Sequence, residues 1–221
     1  DRVVLREIGV FRPDLDARLR LSGKAPDLAR RLDALTEGAA FVLGHNVVAF
    51  DQPALAALHP GLALHRLPLI DTLELSPVAF PQNPYHRLVK DYKLIRDSLN
   101  SPLSDCHSTL TLFNDQRQAF SSLNNTHQAE LLCYQALLAP TMASDLGSVF
   151  ATLTGQAPKR LSELRGLIPG LLKETDPALT RTLKVCSTRL EQLLEIDLFD
   201  VSLHWPLAYA LAWLRVSGGN S

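Results

Sequence analysis

Strand-like patterns occur only between residues 2 and 71, and this constrains the fold more than any other feature of the sequence. Residues 2–11 are rich in valine, leucine and isoleucine, a mixture typical of a partly buried strand. Residues 17–21 then alternate between apolar and charged side chains, and Arg12-Pro13-Asp14 supplies turn-forming residues between the two segments. We therefore predict a β-hairpin with one face exposed to water.

Two further strands are predicted, and each is joined to a helix. A short apolar run over residues 40–43 ends at Gly44, and residues 67–71 form a second buried run. Leucines at spacings of four and three predict a helix over residues 26–35, and another helix is expected over residues 51–58. This alternation of strands and helices indicates an α/β core.

The rest of the sequence lacks strand alternation. Pro77, Pro81 and Pro84 exclude a long helix between residues 72 and 100, where we expect a structured loop. Helical spacing resumes in the segments 102–123, 127–138, 143–153, 159–167, 177–194 and 206–216. We therefore predict an α/β core over residues 1–123 and an all-helical extension over residues 124–221.

Charge and hydropathy exclude several classes of protein. With 22 basic and 23 acidic side chains the net charge is -1, so any contact with nucleic acid must be local. No apolar run approaches the roughly 18 to 20 residues needed to cross a bilayer, so we expect no membrane partner. Three widely spaced cysteines without a C-x-x-C pair argue against a zinc site or disulfide framework, which fits a cytoplasmic protein.

Two carboxylates are predicted at helix starts. Asp51 opens the helix after the strand that ends at Gly44, and Asp105 lies in the first turn of the helix from Pro102. Taken singly, Asp51 is explained as an N-cap and Asp105 as a favourable partner of the helix dipole. Taken together, they suit Mg²⁺ or Mn²⁺, which take oxygen ligands and keep waters that a phosphate can displace.

The densest basic stretch of the chain, residues 86–96, lies between these two carboxylates. Its cations are suited to phosphate contacts, and its tyrosine offers a stacking surface for a base. The candidate nucleic-acid-binding residues in it are His86, Arg87, Lys90, Tyr92 and Lys93. The alternative is a solvated loop with no ligand.

Several motifs together resemble a known family. The motifs are Gly44-His45-Asn46 followed by Phe50-Asp51, the strand end Leu69-Ile70-Asp71-Thr72, and Asn100-x4-Asp105. They resemble motifs two and three of DnaQ-like (DEDDh) 3′-to-5′ exonucleases. Residues 83–94 and 205–216 also resemble the exonuclease-like region at the N-terminus of large bacterial RecQ-family DNA helicases.

The resemblance implies a ribonuclease H-like, DnaQ-type mixed sheet. It also implies that the chain acts on single-stranded DNA or DNA 3′ ends and is covalently linked to a helicase domain. The expected location is the cytoplasm, in association with the nucleoid. In such exonucleases four carboxylates hold two Mg²⁺ or Mn²⁺ ions, and a histidine acts as general base. By position, Asp51 and Asp105 would be the ligands from motifs two and three, while His45, Asn46 and Phe50 would line the groove for the 3′ nucleotides.

The chain departs from the family pattern at two places. Asn100 stands at the general-base position, and an amide can orient a water but cannot accept its proton. His86 and His107 are the candidates to replace it. Motif one, an Asp-x-Glu on the preceding strand, is absent from the sequence, so we expect the chain to be inactive by itself and to be an internal piece of a longer protein.

The missing first strand also has a structural consequence. In this fold it lies centrally, so its absence should leave a gap between the strand over residues 2–11 and that over 40–43. Three possibilities remain open: a nuclease-derived DNA-processing domain, a non-catalytic module that binds nucleic acid or docks a helicase, and an unrelated α/β domain whose likeness to the family stops at the Gly44-His45-Asn46 loop. In the last helix, Trp205, Tyr209 and Trp213 are predicted to be buried in the core, the alternative being a docking surface.

Overall fold

The computed structural model describes residues 5–83, 101–126, 128–138, 144–160, 163 and 204–217. Contacts divide these residues into two compact units. Described residues 5–73 and 101–114 form the first unit, and the remaining described residues form the second. The domain boundary predicted after residue 123 stays a prediction. No helix in the described part of the chain is long and apolar enough to cross a membrane.

The predicted hairpin is confirmed in the first unit. Strands β1 (Glu7–Arg12) and β2 (Ala17–Ser22) are antiparallel, with Ile8 opposite Leu21 and Val10 opposite Leu19. Because side chains alternate between the two faces of a strand, these four apolar residues share one face. That face packs into a core with leucines of helix α1 (Leu28–Thr36) and with Leu62.

The other two predicted strands pair in parallel. Strand β3 (Val42–Gly44) lies beside β4 (Leu69–Asp71), so that Gly44 is opposite Asp71 and the carboxyl ends of both strands meet. Helix α2 (Gln52–Leu58) follows β3, as expected. The chain therefore has an α/β fold with one antiparallel and one parallel strand pair among its described residues.

The two strand pairs are separate among the described residues. Strand β1 pairs with β2 and β3 pairs with β4, and no ladder joins β1 to β3. The ribonuclease H-like mixed sheet without its first strand stays a prediction.

One helix differs from the sequence prediction. The prolines after residue 72 predict a loop, but Thr72–Ala79 forms helix α3 with Pro77 inside it. Pro77 has no backbone N–H, so helix α3 lacks one hydrogen-bond donor at this position. Leu75 and Val78 of this helix are fully buried, so burial of apolar side chains compensates for that loss. The rest of the predicted loop, residues 84–100, lies outside the described residues.

Helix α4 (Pro102–Thr126) begins against the hairpin. A Cβ atom on Gly9 would lie 2.5 Å from the backbone carbonyl carbon of Pro102, so only glycine allows this close approach. One turn further on, the rings of Phe11 and His107 have centroids 4.4 Å apart. Strand β1 therefore fixes the position of the first turns of α4.

The described helices of the second unit come from several parts of the chain. They are most of α3, the end of α4, helix α5 (Gln128–Leu138), helix α6 (Leu146–Thr154) and helix α7 (His204–Ser217). Phe120, Tyr134 and Phe150 from three of these helices are fully buried and form edge-on or tilted ring contacts. Most of the predicted helix at 159–167 and all of that at 177–194 lie outside the described residues.

The prediction that all three aromatic residues of α7 are buried is wrong for one of them. Trp205 and Tyr209 are half-buried and stacked, with centroids 5.7 Å apart, but Trp213 is 48% exposed. Residues four positions apart in a helix are rotated by about 40° from one another around the helix axis. Trp205, Tyr209 and Trp213 therefore do not share one narrow face of α7. The buried face of α7 instead carries His204, Ala208, Leu211 and Ala212.

Candidate metal and nucleic-acid site

The loop between β3 and α2 is held by a carboxylate from the neighbouring strand. Asp71, at the end of β4, is 2% exposed, and its side chain accepts backbone N–H groups from Asn46 at 2.8 Å and Val48 at 3.1 Å. It also accepts the N–H of Leu73 at 2.9 Å. Asn46 has a positive φ of 61°, which asparagine tolerates better than most residues. Asp71 therefore determines the path of the chain directly after β3.

The next residue, Thr72, orients His45. The hydroxyl of Thr72 donates to the carbonyl oxygen of Gly44 at 3.1 Å, and the same hydroxyl oxygen lies 3.0 Å from Nδ1 of His45. Because the hydroxyl has one proton, Nδ1 is the donor to it, and Nε2 is the nitrogen with the lone pair in the neutral ring. Burial lowers the pKa of His45, while the charge of Asp71 opposes that effect. The geometry therefore favours a neutral imidazole of defined tautomer.

Asp51 closes this loop and is not an N-cap. It is the last residue of a single π-helical turn, Val47–Asp51, and its own backbone is helical, with φ −73° and ψ −44°. Its side chain makes no capping hydrogen bond to α2, so the N-cap interpretation is wrong. Partial desolvation raises the pKa of the Asp51 carboxyl, and the nearby charge of Asp71 adds to the effect against an opposing backbone hydrogen bond.

Asp105 lies in the first turn of α4, as predicted. The residue after it is Cys106, whose pKa is affected by the charges of both Asp105 and Asp51. Burial raises the pKa of the Cys106 thiol to about 11, and the charges of Asp105 and Asp51 both add to this shift. Asp105 is adjacent to Cys106 in sequence, and Asp51 lies within range of an electrostatic effect on the same thiol. Asp51 and Asp105 therefore belong to one region of the first unit.

The donor set suits one divalent ion better than two. Mg²⁺ is typically bound through one or two carboxylates, with waters and phosphate oxygens completing its coordination. Asp51 and Asp105 provide that number. The described residues contain no group of three or more histidine, cysteine, aspartate or glutamate side chains able to hold a metal. The described residues therefore do not form the four-carboxylate, two-ion site of the family that the chain resembles, and a site for one ion at Asp51 and Asp105 stays a prediction.

An aromatic side chain stands next to these carboxylates. Phe50 directly precedes Asp51 and is 71% exposed, although apolar side chains of this size are usually buried. An exposed aromatic ring is suited to stacking against a base. The predicted groove roles of Phe50, His45 and Asn46 stay predictions, as does the role of the exposed His107 as a substitute base.

The remaining predicted site residues cannot be placed. Those outside the described residues are Asn100, His86, Arg87, Lys90, Tyr92 and Lys93. Their roles stay predictions.

Sequence reasoning missed two residues of this site. Asp71 belongs to a motif of the resemblance but was not predicted as a site residue. Its signal was present, because a carboxylate directly after a buried strand is expected to meet the end of the parallel neighbour. Cys106 gave no such signal, since a single cysteine in a helix carries no pattern.

Comparisons with known proteins add no family assignment. The sequence matches no protein-family model and no curated protein, and the fold matches no solved structure.

Proposed function

We propose that this chain is a DNA-processing domain of a RecQ-type helicase, related to divalent-metal-dependent 3′-to-5′ exonucleases and acting on single-stranded DNA 3′ ends. The observation that carries the proposal is the placement of Asp51 after β3 and of Asp105 in the first turn of α4, within one compact unit and with both charges acting on Cys106. Carboxylates at these positions provide the oxygen ligands that a hard divalent cation prefers.

Each residue of the site has a role in this proposal. Asp51 and Asp105 bind Mg²⁺ or Mn²⁺, and Phe50 stacks on a base near the 3′ end. A bound ion supplies positive charge for the phosphodiester and lowers the pKa of a bound water. Lys90 and Lys93 contact phosphates, and Tyr92 offers a second stacking surface.

The fold supports the same proposal. The ribonuclease H-like sheet of the family, without its first strand, consists of an antiparallel hairpin and a separate parallel pair, and those two pairs are present. Asp51 follows β3 and Asp105 opens α4, the places that the family motifs assign to metal ligands. We expect the chain to be inactive by itself and the full-length protein, if it carries the motif-one carboxylates, to have a weakened activity, because the amide of Asn100 cannot act as a base.

A nuclease assay on the full-length protein tests the catalytic proposal. A 5′-labelled single strand is incubated with Mn²⁺ and without ATP, so that helicase activity does not contribute. We expect Asp51→Ala and Asp105→Ala each to lower the rate of 3′ shortening by about 10²-fold or more, because half of the ligand set is lost. Asp115→Ala, an exposed carboxylate on the same helix α4, should keep the wild-type rate. Equal rates in all four proteins would end the catalytic proposal.

A second candidate is a non-catalytic module on the same fold that binds nucleic acid or docks the helicase. The amide of Asn100 at the general-base position favours it, because an amide cannot take a proton from the attacking water. Charge reversal at Lys90 and Lys93 should weaken single-strand binding and flatten its dependence on salt. DNA binding that depends on these lysines, without any shortening of the strand, would favour this candidate over the nuclease.

A further inference from the structure

A buried carboxylate outside the proposed metal ligands controls the loop that carries one of them. Asp71 is 2% exposed and uses both of its oxygens as acceptors: Oδ1 accepts from Asn46 and Leu73, and Oδ2 accepts from Val48. Hydrogen bonds from backbone N–H groups to a buried carboxylate are stronger than bonds between neutral groups. The carboxylate is therefore engaged with backbone and does not act as a ligand itself.

The two loop contacts of Asp71 lie on the direct path to Asp51. Asn46 and Val48 bracket the start of the π-helical turn that ends at Asp51, so fixing both amides fixes the turn. Thr72 strengthens the same junction through Gly44 and His45. Without these bonds the turn would depend on its own backbone contacts, and a single π-helical turn is a rare conformation.

We propose that Asp71 is a positioning residue for Asp51, holding the loop after β3 so that the Asp51 carboxylate keeps the place that the proposed metal site requires. The inference rests on the proposed function for its metal, but the positioning itself can be measured without metal. Residues that orient metal ligands in this way commonly change metal affinity by about 10- to 100-fold when they are mutated.

The chain offers a matched control. Asp33 of α1 also accepts a backbone N–H from a later loop, that of Ala63 at 2.7 Å, and it lies in the same unit. Asp33→Ala therefore removes the same kind of bond without touching the loop after β3. Asp71→Asn is the conservative variant, because its carbonyl oxygen can replace Oδ1 while the acceptor for Val48 is lost.

The test compares the full-length wild-type protein with Asp71→Ala, Asp71→Asn and Asp33→Ala. Hydrogen exchange measured by mass spectrometry reports the peptide covering residues 44–51, and titration reports Mn²⁺ affinity. We expect Asp71→Ala to speed exchange in this peptide by at least about 10-fold and to weaken Mn²⁺ binding by about 10- to 100-fold. Asp71→Asn should give intermediate values, and Asp33→Ala should match wild type in both.

Failure of this inference is distinguishable from failure of the proposed function. If Asp51→Ala leaves Mn²⁺ binding unchanged, the metal site is refuted, while exchange of the 44–51 peptide still decides whether Asp71 holds the loop. Wild-type exchange and Mn²⁺ affinity in Asp71→Ala would overturn the positioning role. If Asp71→Ala does not fold, Asp71→Asn decides: faster exchange of the peptide with weaker Mn²⁺ binding, restored at high Mn²⁺, supports positioning, and wild-type affinity overturns it.

Discussion

The end of β4 and the helical core of the second unit both bury polar side chains, but they use them in different ways. In the second unit, Gln135 is fully buried, donates to the carbonyl of Gln156 at 2.9 Å and accepts from Thr154 at 3.1 Å. These neutral bonds join packed segments. In the first unit, buried Asp71 instead holds a half-buried loop that leads to a second carboxylate, Asp51.

The two regions show that some buried polar groups stabilise the fold, whereas others destabilise it. Neutral groups that bond to each other lose little by burial, whereas neighbouring carboxylates raise each other's pKa and destabilise the fold when ionised. Burial raises the pKa of Asp51, with the charge of Asp71 adding to the shift, and burial raises that of Cys106, with the charges of Asp105 and Asp51 adding to it. Groups with shifted pKa values are common at functional sites, which agrees with the chemistry proposed for this part of the first unit.

We expect the largest change in the free energy of unfolding from a mutation in the aromatic core of the second unit. Phe120→Ala removes a fully buried ring and should lower the free energy of unfolding by about 3–5 kcal/mol. Phe50→Ala, at an exposed ring of the first unit, should change it by less than about 0.5 kcal/mol. Urea denaturation followed by tryptophan fluorescence measures this, because both tryptophans, Trp205 and Trp213, lie on α7. Similar losses in the two variants would break the comparison.

The next effect concerns the contact that positions α4 in the first unit. In Gly9→Ala the new methyl group would overlap the backbone of Pro102, which should cost about 1–3 kcal/mol of stability. Gly61→Ala is the matched control, because a Cβ atom on Gly61 would have no neighbouring atom within 4 Å, and it should be near neutral. Thermal denaturation followed by circular dichroism compares the two, and equal melting temperatures would contradict the close approach of β1 and α4.

A smaller effect tests whether the carboxylates converge. Asp51→Asn and Asp105→Asn each remove a negative charge near Cys106, so the pKa of its thiol should fall from about 11. More thiolate is then present at pH 9, and alkylation by iodoacetamide should speed up by about 2- to 5-fold. Cys133, whose pKa burial raises to about 12, serves as the reference thiol in the second unit. Peptide mass spectrometry measures both, and an unchanged Cys106 rate would place the carboxylates elsewhere.

The smallest expected effect concerns how the stability of the fold depends on pH. Desolvation raises the pKa of Asp51 in the folded chain, so the fold favours the protonated form, and stability is lost as pH rises past the unfolded value of 3.8. Asp51→Asn should therefore stabilise the chain at pH 7 by less than about 1 kcal/mol, and the gain should shrink towards pH 4. Asp14→Asn should have the opposite sign at pH 7, because Arg12 lowers the pKa of that carboxyl. Melting temperatures at both pH values check the two signs.

Much of the fold was predictable because its patterns are local. The hairpin, both parallel strands and four of the later helices follow from the spacing of apolar residues, and the structure places them within a few residues of the predicted bounds. Helix α3 was missed because Pro77 argues against a helix, whereas the burial of Leu75 and Val78 in the tertiary fold outweighs it. Trp213 was wrongly expected in the core because the sequence does not say which face of α7 is covered.

The site divides in the same way. The sequence by itself determined which carboxylates lie at helix starts, since Asp51 follows a strand end and Asp105 follows a helix-starting proline. Only the tertiary structure decided that both charges act on Cys106, that the Asp51 side chain makes no capping hydrogen bond, and that Asp71 holds the loop after β3. The physical reason is range: periodicity and capping act over a few residues, whereas hydrogen bonds from Asp71 and charge effects on Cys106 join segments that only folding brings together.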